Sequence, residues 1–168
     1  MNDKRAMLRH FLAAIAYRTQ KAVRDAPVSF GTFDAGSQVR TPADLVRHMS
    51  GVLGYARTFF IGGRFRAEPL ADLSAEIARL HTILADLRDH LERGTELRGT
   101  TEERLLQGPF SDAMTHAGQL AMLRRLAGTP VRPENFIEAA IDSTNVGPSQ
   151  PAPVSPDAEW PEGPKATK

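Results

Sequence analysis

Apolar residues recur every three or four positions along four stretches of the chain, which is the period of an amphipathic α-helix. Glycine or proline stands at or near the ends of these stretches, as expected where helices begin or stop. No stretch alternates between apolar and polar residues with the period of a half-buried strand. We therefore predict an all-α fold, with four main helices at residues 3–25, 42–61, 72–93 and 109–127.

Smaller elements are expected between and after these helices. The stretch TEERLL (101–106) is predicted to form one or two helical turns, and PENFIEAAI (133–141) a short fifth helix. From Val146 onward the chain holds six of its twelve prolines, so this tail is expected to be extended. We predict a bundle domain over residues 1–145, and a Pro-rich tail over 146–168 that docks on it through Trp160.

Composition narrows the possible partners. The 21 basic and 20 acidic residues give a net charge of +1, so there is no electrostatic reason to expect nucleic acid or an anionic membrane. No apolar run approaches the ~18–20 residues that span a bilayer, and the N-terminal stretch is interpreted as a helix rather than a signal peptide. These features favour a cytoplasmic protein. The chain has no cysteine, which excludes disulfides, thiolate metal ligands and a cysteine nucleophile.

Three polar residues fall on helix faces that are otherwise apolar. His48 lies between Leu45 and Val52 in the second helix, while Asp112 and His116 lie one turn apart at the start of the fourth. An unpaired carboxylate in an apolar core is very costly, so Asp112 needs a partner or a cation. Facing helices of bundles hold metals with inward imidazole and carboxylate groups. We therefore identify His48, Asp112 and His116 as a candidate divalent-metal site.

Simpler interpretations of the same residues remain open. A single core histidine often hydrogen-bonds to a carbonyl group, and Asp112 is close enough to the helix start to interact with the helix dipole. His81, beside the apolar seam of the third helix, could be a fourth ligand or a packed core residue. Gln119 could orient a ligand or form a hydrogen bond between helices.

Two segments resemble the DinB superfamily of four-helix bundles. HAGQLAMLRRLAG (116–128) is similar to the His-x-Gly-Gln-Leu signature of that family's last helix, and TPADLVRHMSGVLGYARTFF (41–60) to its other ligand-bearing helix. NVGPSQPAP (145–153) resembles closing segments of some members. In that family three histidines usually bind a divalent metal. The resemblance implies that His48 and His116 are ligands, and that Asp112 stands where the third histidine usually lies.

The resemblance also implies a class of activity. Some members of the superfamily are transferases and isomerases that depend on a low-molecular-weight thiol. The corresponding expectation is an enzyme that uses Zn, Ni, Fe or Mn to act on a small molecule, by thiol-dependent transfer or isomerisation or by hydrolysis. The alternative is a non-catalytic bundle for ligand binding or dimerisation. The enzyme requires the three groups to converge beside an open pocket, whereas the alternative requires them to be apart or sealed.

Aromatic residues outside the single core stripes suggest self-association. They occur in the first two helices and in the loop between them: Phe11, Phe30, Phe33, Phe59 and Phe60. A bundle of this size would have difficulty covering all of them, and large exposed apolar patches usually mark interfaces. We therefore expect a two-fold homodimer. Alternatively, the loop folds back and buries these side chains within one chain.

Overall fold

Four long helices dominate the computed structural model, which describes residues 3–161 and 163. The long helices are α1 (Asp3–Val23), α2 (Pro42–Ile61), α3 (Leu73–Glu92) and α5 (Ser111–Leu126). A short helix, α4 (Glu102–Leu105), lies between α3 and α5 in the chain. A 3₁₀ turn spans Val28–Thr32, and a π-helical segment, Leu106–Phe110, joins α4 to α5. Within the described residues there is no strand, only an isolated bridge between Glu134 and Pro156. The fold is all-α, as predicted.

Local capping residues explain where α2 and α3 begin. The side-chain oxygen of Thr41 accepts a hydrogen bond from the backbone N–H of Asp44, and its hydroxyl donates to the Asp44 carboxylate at 2.9 Å. Asp72 caps α3 by accepting from the N–H of Ala75 at 2.9 Å. These bonds satisfy amide groups that have no partner inside the helix. Gly62, with φ of 76°, ends α2 in a conformation that favours glycine.

The predicted start of the fourth helix at Pro109 is wrong, because helical winding begins earlier. Thr101 caps α4, and the winding continues through Leu106–Phe110 into α5 with Pro109 inside the π-helical segment. Proline has no N–H to donate, so a wider turn accommodates it with less disruption than a regular α-helical turn. The hydroxyl of Ser111 donates to the carbonyl of Leu106 at 2.7 Å, which uses one of the carbonyls freed by the irregular winding.

The predicted short helix at 133–141 is also wrong. The described structure there consists of turns and irregular chain, held by contacts with α1. The buried Glu134 carboxylate accepts hydrogen bonds from the Tyr17 hydroxyl at 2.7 Å and from Lys21 at 2.9 Å. Phe136 lies against the Arg18 guanidinium, 3.7 Å from its ring centre. These tertiary contacts outweigh the weak helical preference of a nine-residue stretch.

Contacts between side chains establish the relative directions of α1, α2 and α3. Arg9 near the start of α1 pairs with Glu92 at the end of α3, so these two helices are antiparallel. Arg57 and Phe60 late in α2 contact Asp86 and His90 late in α3, so α2 and α3 are parallel. The principal contacts join α1 to α3 and α5, and α2 to α3 and α5. The helices therefore surround the core in the order α1, α3, α2, α5.

Parallel packing of α2 and α3 requires the chain to return along the bundle between them. Residues 62–72 make this return without helix or strand, and an extended segment of 11 residues has a reach similar to the ~30 Å length of a 20-residue helix. Phe65, in the middle of this segment, packs onto Gly54 of α2. The guanidinium of Arg57 lies 5.4 Å from the centre of the Phe65 ring. Phe65 therefore anchors the returning segment against α2.

The Pro-rich tail contacts the bundle at several described positions. Val146 is only 1% exposed and belongs to the main core. Arg24 donates to the carbonyls of Gln150 and Pro151, both at 2.8 Å, and Arg132 donates to those of Asp157 and Ala158. Trp160, the expected anchor of the tail, is half-buried, and its docking stays a prediction. Residues 162 and 164–168 of the predicted tail lie outside the described part.

The aromatic residues that suggested a dimer pack within the chain. Phe30 and Phe60 are buried, and the other three pack partly buried against the same core: Phe11, Phe33 and Phe59. Burial within one chain, the alternative to a dimer, therefore accounts fully for Phe30 and Phe60 and partly for the other three. None of the helices in the described part of the chain is long and apolar enough to cross a membrane.

Two glycines of α2 allow the Phe65 anchor to be tested. A Cβ at Gly54 would overlap the Phe65 ring, whereas a Cβ at Gly51 would meet no atom within 4 Å. We expect Gly54→Ala to lower the free energy of unfolding by about 1–3 kcal/mol through overpacking. The matched variant Gly51→Ala should raise it by about 0.5–1 kcal/mol, because alanine favours the helix. Urea denaturation measures both, and equal effects of the two variants would contradict the proposed anchor.

Candidate metal centre

His48, Asp112 and His116 converge where α2 packs against α5. Two helices supply them: His48 lies in the second turn of α2, and Asp112 and His116 lie in the first two turns of α5. The apolar neighbours Leu45, Met49 and Ala113 are buried and hold the two helices together at this level. Residues four apart lie on the same face of a helix. The face of α5 that packs toward His48 therefore carries both Asp112 and His116.

The ligand-type atoms of the three side chains lie within 4.8 Å of one another. Asp112 is central: Oδ2 is 3.9 Å from His48 Nε2, and Oδ1 is 3.2 Å from His116 Nε2. The two imidazole rings meet edge to face, with centroids 4.8 Å apart. Metal–ligand bonds of about 2.0–2.2 Å place two ligand atoms at most about 4.4 Å apart. Small rotations of the side chains would therefore be enough to enclose a divalent cation.

The hydrogen bonding of His116 leaves one ring nitrogen available. The amide oxygen of Gln119 lies 2.7 Å from His116 Nδ1, so Nδ1 carries the proton and donates it to this oxygen. In that tautomer Nε2 has a free lone pair. Nε2 is buried and makes no hydrogen bond, even though the Asp112 carboxylate is close. A buried imidazole nitrogen that lies 3.2 Å from a carboxylate oxygen and beside a second imidazole has the arrangement expected of a metal ligand.

The electrostatic environment keeps His48 neutral. Burial lowers the pKa of His48 below its usual value of 6.5, and the positive charge of Arg40 and the neighbouring His116 lower it further. The Asp112 carboxylate acts in the opposite direction but has the smallest effect. His48 is therefore neutral at pH 7, as a metal-binding imidazole must be.

An open cleft of about 1070 Å³ leads from solvent to this group. His48 and Asp112 line the cleft, with side chains 35% and 44% exposed. The His116 side chain, only 9% exposed, lies behind them. The rest of the wall comes from α2, the π-helical segment and the returning segment that contains Phe65 and Arg66. The three groups are therefore brought together beside an accessible space, and the site is not sealed.

Two imidazoles and one carboxylate form a donor set that fits a divalent metal. Such sets leave coordination positions open, and they suit Zn²⁺, Fe²⁺ and related first-row ions. The buried Nε2 of His116 supports this fit, because among the described residues it makes no hydrogen bond and its lone polar contact in the site is the Asp112 carboxylate, a second ligand of the same set.

His81 does not belong to this group. It is 5% exposed, and its Nδ1 donates to the Val146 carbonyl at 2.7 Å. Burial lowers its pKa, so the imidazole is neutral and serves to hold the tail against α3. Sequence reasoning did not identify Gln107, Phe65 or Arg66 as cleft residues, because they lie on irregular segments without a helical period.

No protein-family model, curated protein or solved structure matches this chain. The site consists of two imidazoles and a carboxylate at the base of an open cleft in an all-α bundle.

Gln119 provides a test of the His116 tautomer. Gln119→Leu removes the acceptor of the Nδ1 proton while keeping a similar side-chain size, so zinc affinity should fall by about 10–100-fold. Gln119→Glu restores an acceptor and should keep the parent affinity or exceed it. Gln107→Leu makes the same chemical change in the cleft wall, where Gln107 contacts none of the three groups in the described hydrogen bonding, and should have little effect. Competition titration with a zinc indicator measures all four proteins, and equal affinities for the parent and Gln119→Leu would contradict this role.

Proposed function

We propose that this chain is a divalent-metal enzyme of DinB-like fold that acts on a small molecule, by thiol-dependent transfer or isomerisation or by hydrolysis. The observation that carries the proposal is the convergence of the buried His116 Nε2 with the Asp112 carboxylate and His48 at the base of an open cleft. The family assignment is supported by the His-Ala-Gly-Gln-Leu sequence at 116–120 and by the two-helix origin of the ligand set.

The residues of the chain have distinct roles in this proposal. His48, Asp112 and His116 would hold the metal, and Gln119 keeps the lone pair of His116 Nε2 directed toward it. A divalent cation in such a site lowers the pKa of a bound water or thiol and polarises a substrate oxygen. The partly exposed Asp112 carboxylate has a second oxygen that can accept a proton from the attacking group. Tyr55, 56% exposed in the cleft wall, presents a hydroxyl for hydrogen bonding to a substrate.

The source of the nucleophile follows from composition. The chain has no cysteine, so a thiol nucleophile must arrive as a separate molecule. The cleft volume of about 1070 Å³ is large enough to hold a small substrate together with such a molecule. A low-molecular-weight thiol or a water molecule therefore remains the proposed co-reactant.

The homodimer remains a prediction. The aromatic residues that suggested it are covered within the chain, so they no longer support it. Apolar side chains that are exposed near the end of α5 include Met122 and Leu126. Val39, in the loop before α2, is also exposed and lies beside them.

Metal analysis of protein purified without a chelator or a metal-affinity tag tests the ligand set. We expect about one equivalent of a divalent metal in the parent protein. His116→Ala should abolish binding, because it removes the most buried ligand. Asp112→His should keep or tighten binding, since it introduces the third histidine usual in the family. The exposed His10 provides a control, and His10→Ala should bind like the parent. If His116→Ala binds metal like the parent, these ligands are wrong.

Thiol dependence can be tested spectroscopically on cobalt-loaded protein. Glutathione should add a thiolate-to-cobalt charge-transfer band, because a three-ligand site leaves positions open for a soft sulfur ligand. S-methylglutathione, which cannot form a thiolate, should leave the spectrum unchanged. A cobalt-loaded protein whose spectrum is the same with both compounds would contradict the thiol-dependent chemistry and leave hydrolysis by water.

A further inference from the structure

The cleft in front of the candidate metal centre has a cationic rim. Three arginines line it, Arg40, Arg47 and Arg66, and the carboxylates that line it in the described structure are Asp44 and Asp112. A bound divalent cation would add two further positive charges at the base. The cleft is therefore suited to a negatively charged ligand.

Most of these charges are already paired. Arg47 pairs with Asp44 at 2.8 Å, and Arg66 with Glu68 at 3.0 Å. Asp112 faces the two histidines. Arg40 is different: within the described residues its side chain has no ion pair or hydrogen bond, and it is exposed. Its guanidinium has five N–H donors in a planar fork, none of which is used by the protein.

The backbone before Arg40 has an unusual conformation. Ser37 and Gln38 have φ values of 52° and 61°, and Gly36 has 77°, so three successive residues lie in the left-handed region. The N–H of Val39 closes the turn by donating to the Gly36 carbonyl at 3.0 Å. Residues other than glycine adopt left-handed backbone angles at a cost in free energy. Such backbone strain is concentrated at functional sites. The turn places Arg40 at the junction of the cleft and a neighbouring groove lined by Leu45, Met122 and Leu126.

We propose that the cleft binds a small molecule bearing a carboxylate, and that the Arg40 guanidinium pairs with this carboxylate while another part of the molecule reaches the His48, Asp112 and His116 group. The substrate role rests on the proposed function, but recognition of the anion does not need a metal. A single planar guanidinium matches a carboxylate through two parallel hydrogen bonds. A phosphate dianion, with more acceptor oxygens and charge, would favour a site with more free donors than this one.

Titration of the metal-free full-length protein with succinate tests the proposal, with the backbone amide signals of the residues that line the cleft observed by NMR at constant ionic strength. We expect saturable binding in the parent and at least a tenfold loss of affinity in Arg40→Gln, while Arg40→Lys, which keeps the charge but not the fork, should fall between them. Arg93→Gln makes the same change in net charge at the end of α3, outside the cleft, and should bind like the parent. Inorganic phosphate should bind more weakly than succinate.

Equal affinities for the parent and Arg40→Gln, or no saturable binding of succinate, would overturn the proposal. Tighter binding of phosphate than of succinate would overturn the carboxylate assignment. Zinc titration of the same samples separates this inference from the proposed function. Zinc binding without succinate binding removes the inference and leaves the metal centre, whereas succinate binding that depends on Arg40 without zinc binding removes the metal enzyme and leaves the anion site.

Discussion

The contact between α2 and α5 is the constraint on which the site depends. Apolar side chains on both helices bury each other at this contact, and the same contact brings His48 opposite Asp112 and His116. Burial of the apolar groups offsets the cost of removing the His116 side chain, and part of the His48 and Asp112 side chains, from water. The buried His116 Nε2 makes no hydrogen bond, and its contact with the Asp112 carboxylate at 3.2 Å only partly replaces the water that it loses. The arrangement that brings the three candidate ligands together therefore lowers the stability of this part of the bundle.

The helices were largely predictable because their boundaries depend on neighbouring residues. Thr41 with Pro42, Asp72 and Gly62 act over one turn, so their effect can be inferred from the chain alone. The convergence of His48 with Asp112 and His116 was predictable for a related reason: all three lie on apolar faces, and a bundle must bring those faces together. The tautomer of His116 could not be predicted from the sequence, because it depends on which atom of the Gln119 amide faces the ring.

The incorrect predictions involve segments whose conformation depends on distant residues. Residues 133–141 were expected to be helical, but Glu134 binds Tyr17 and Lys21 more than one hundred positions away. Burial and the Glu134 carboxylate raise the pKa of Tyr17, so its hydroxyl keeps the proton that it donates. Arg40 likewise becomes a cleft residue only through a turn that no helical period describes. Tertiary contacts outweigh local preference at residues 133–141, whereas the turn before Arg40 is closed by local hydrogen bonds.

The π-helical segment between α4 and α5 determines the angular phase of the last helix. A wider turn includes an additional residue, and one residue corresponds to about 100° of rotation about an α-helical axis. Leu105 before the segment and Phe110 at its end are both buried in the core. The irregular winding therefore keeps the apolar faces of α4 and α5 both directed toward the core. Regular α-helical winding across Pro109 would turn Asp112 and His116 away from His48. The π-helical segment therefore directs the face of α5 that carries Asp112 and His116 toward α2.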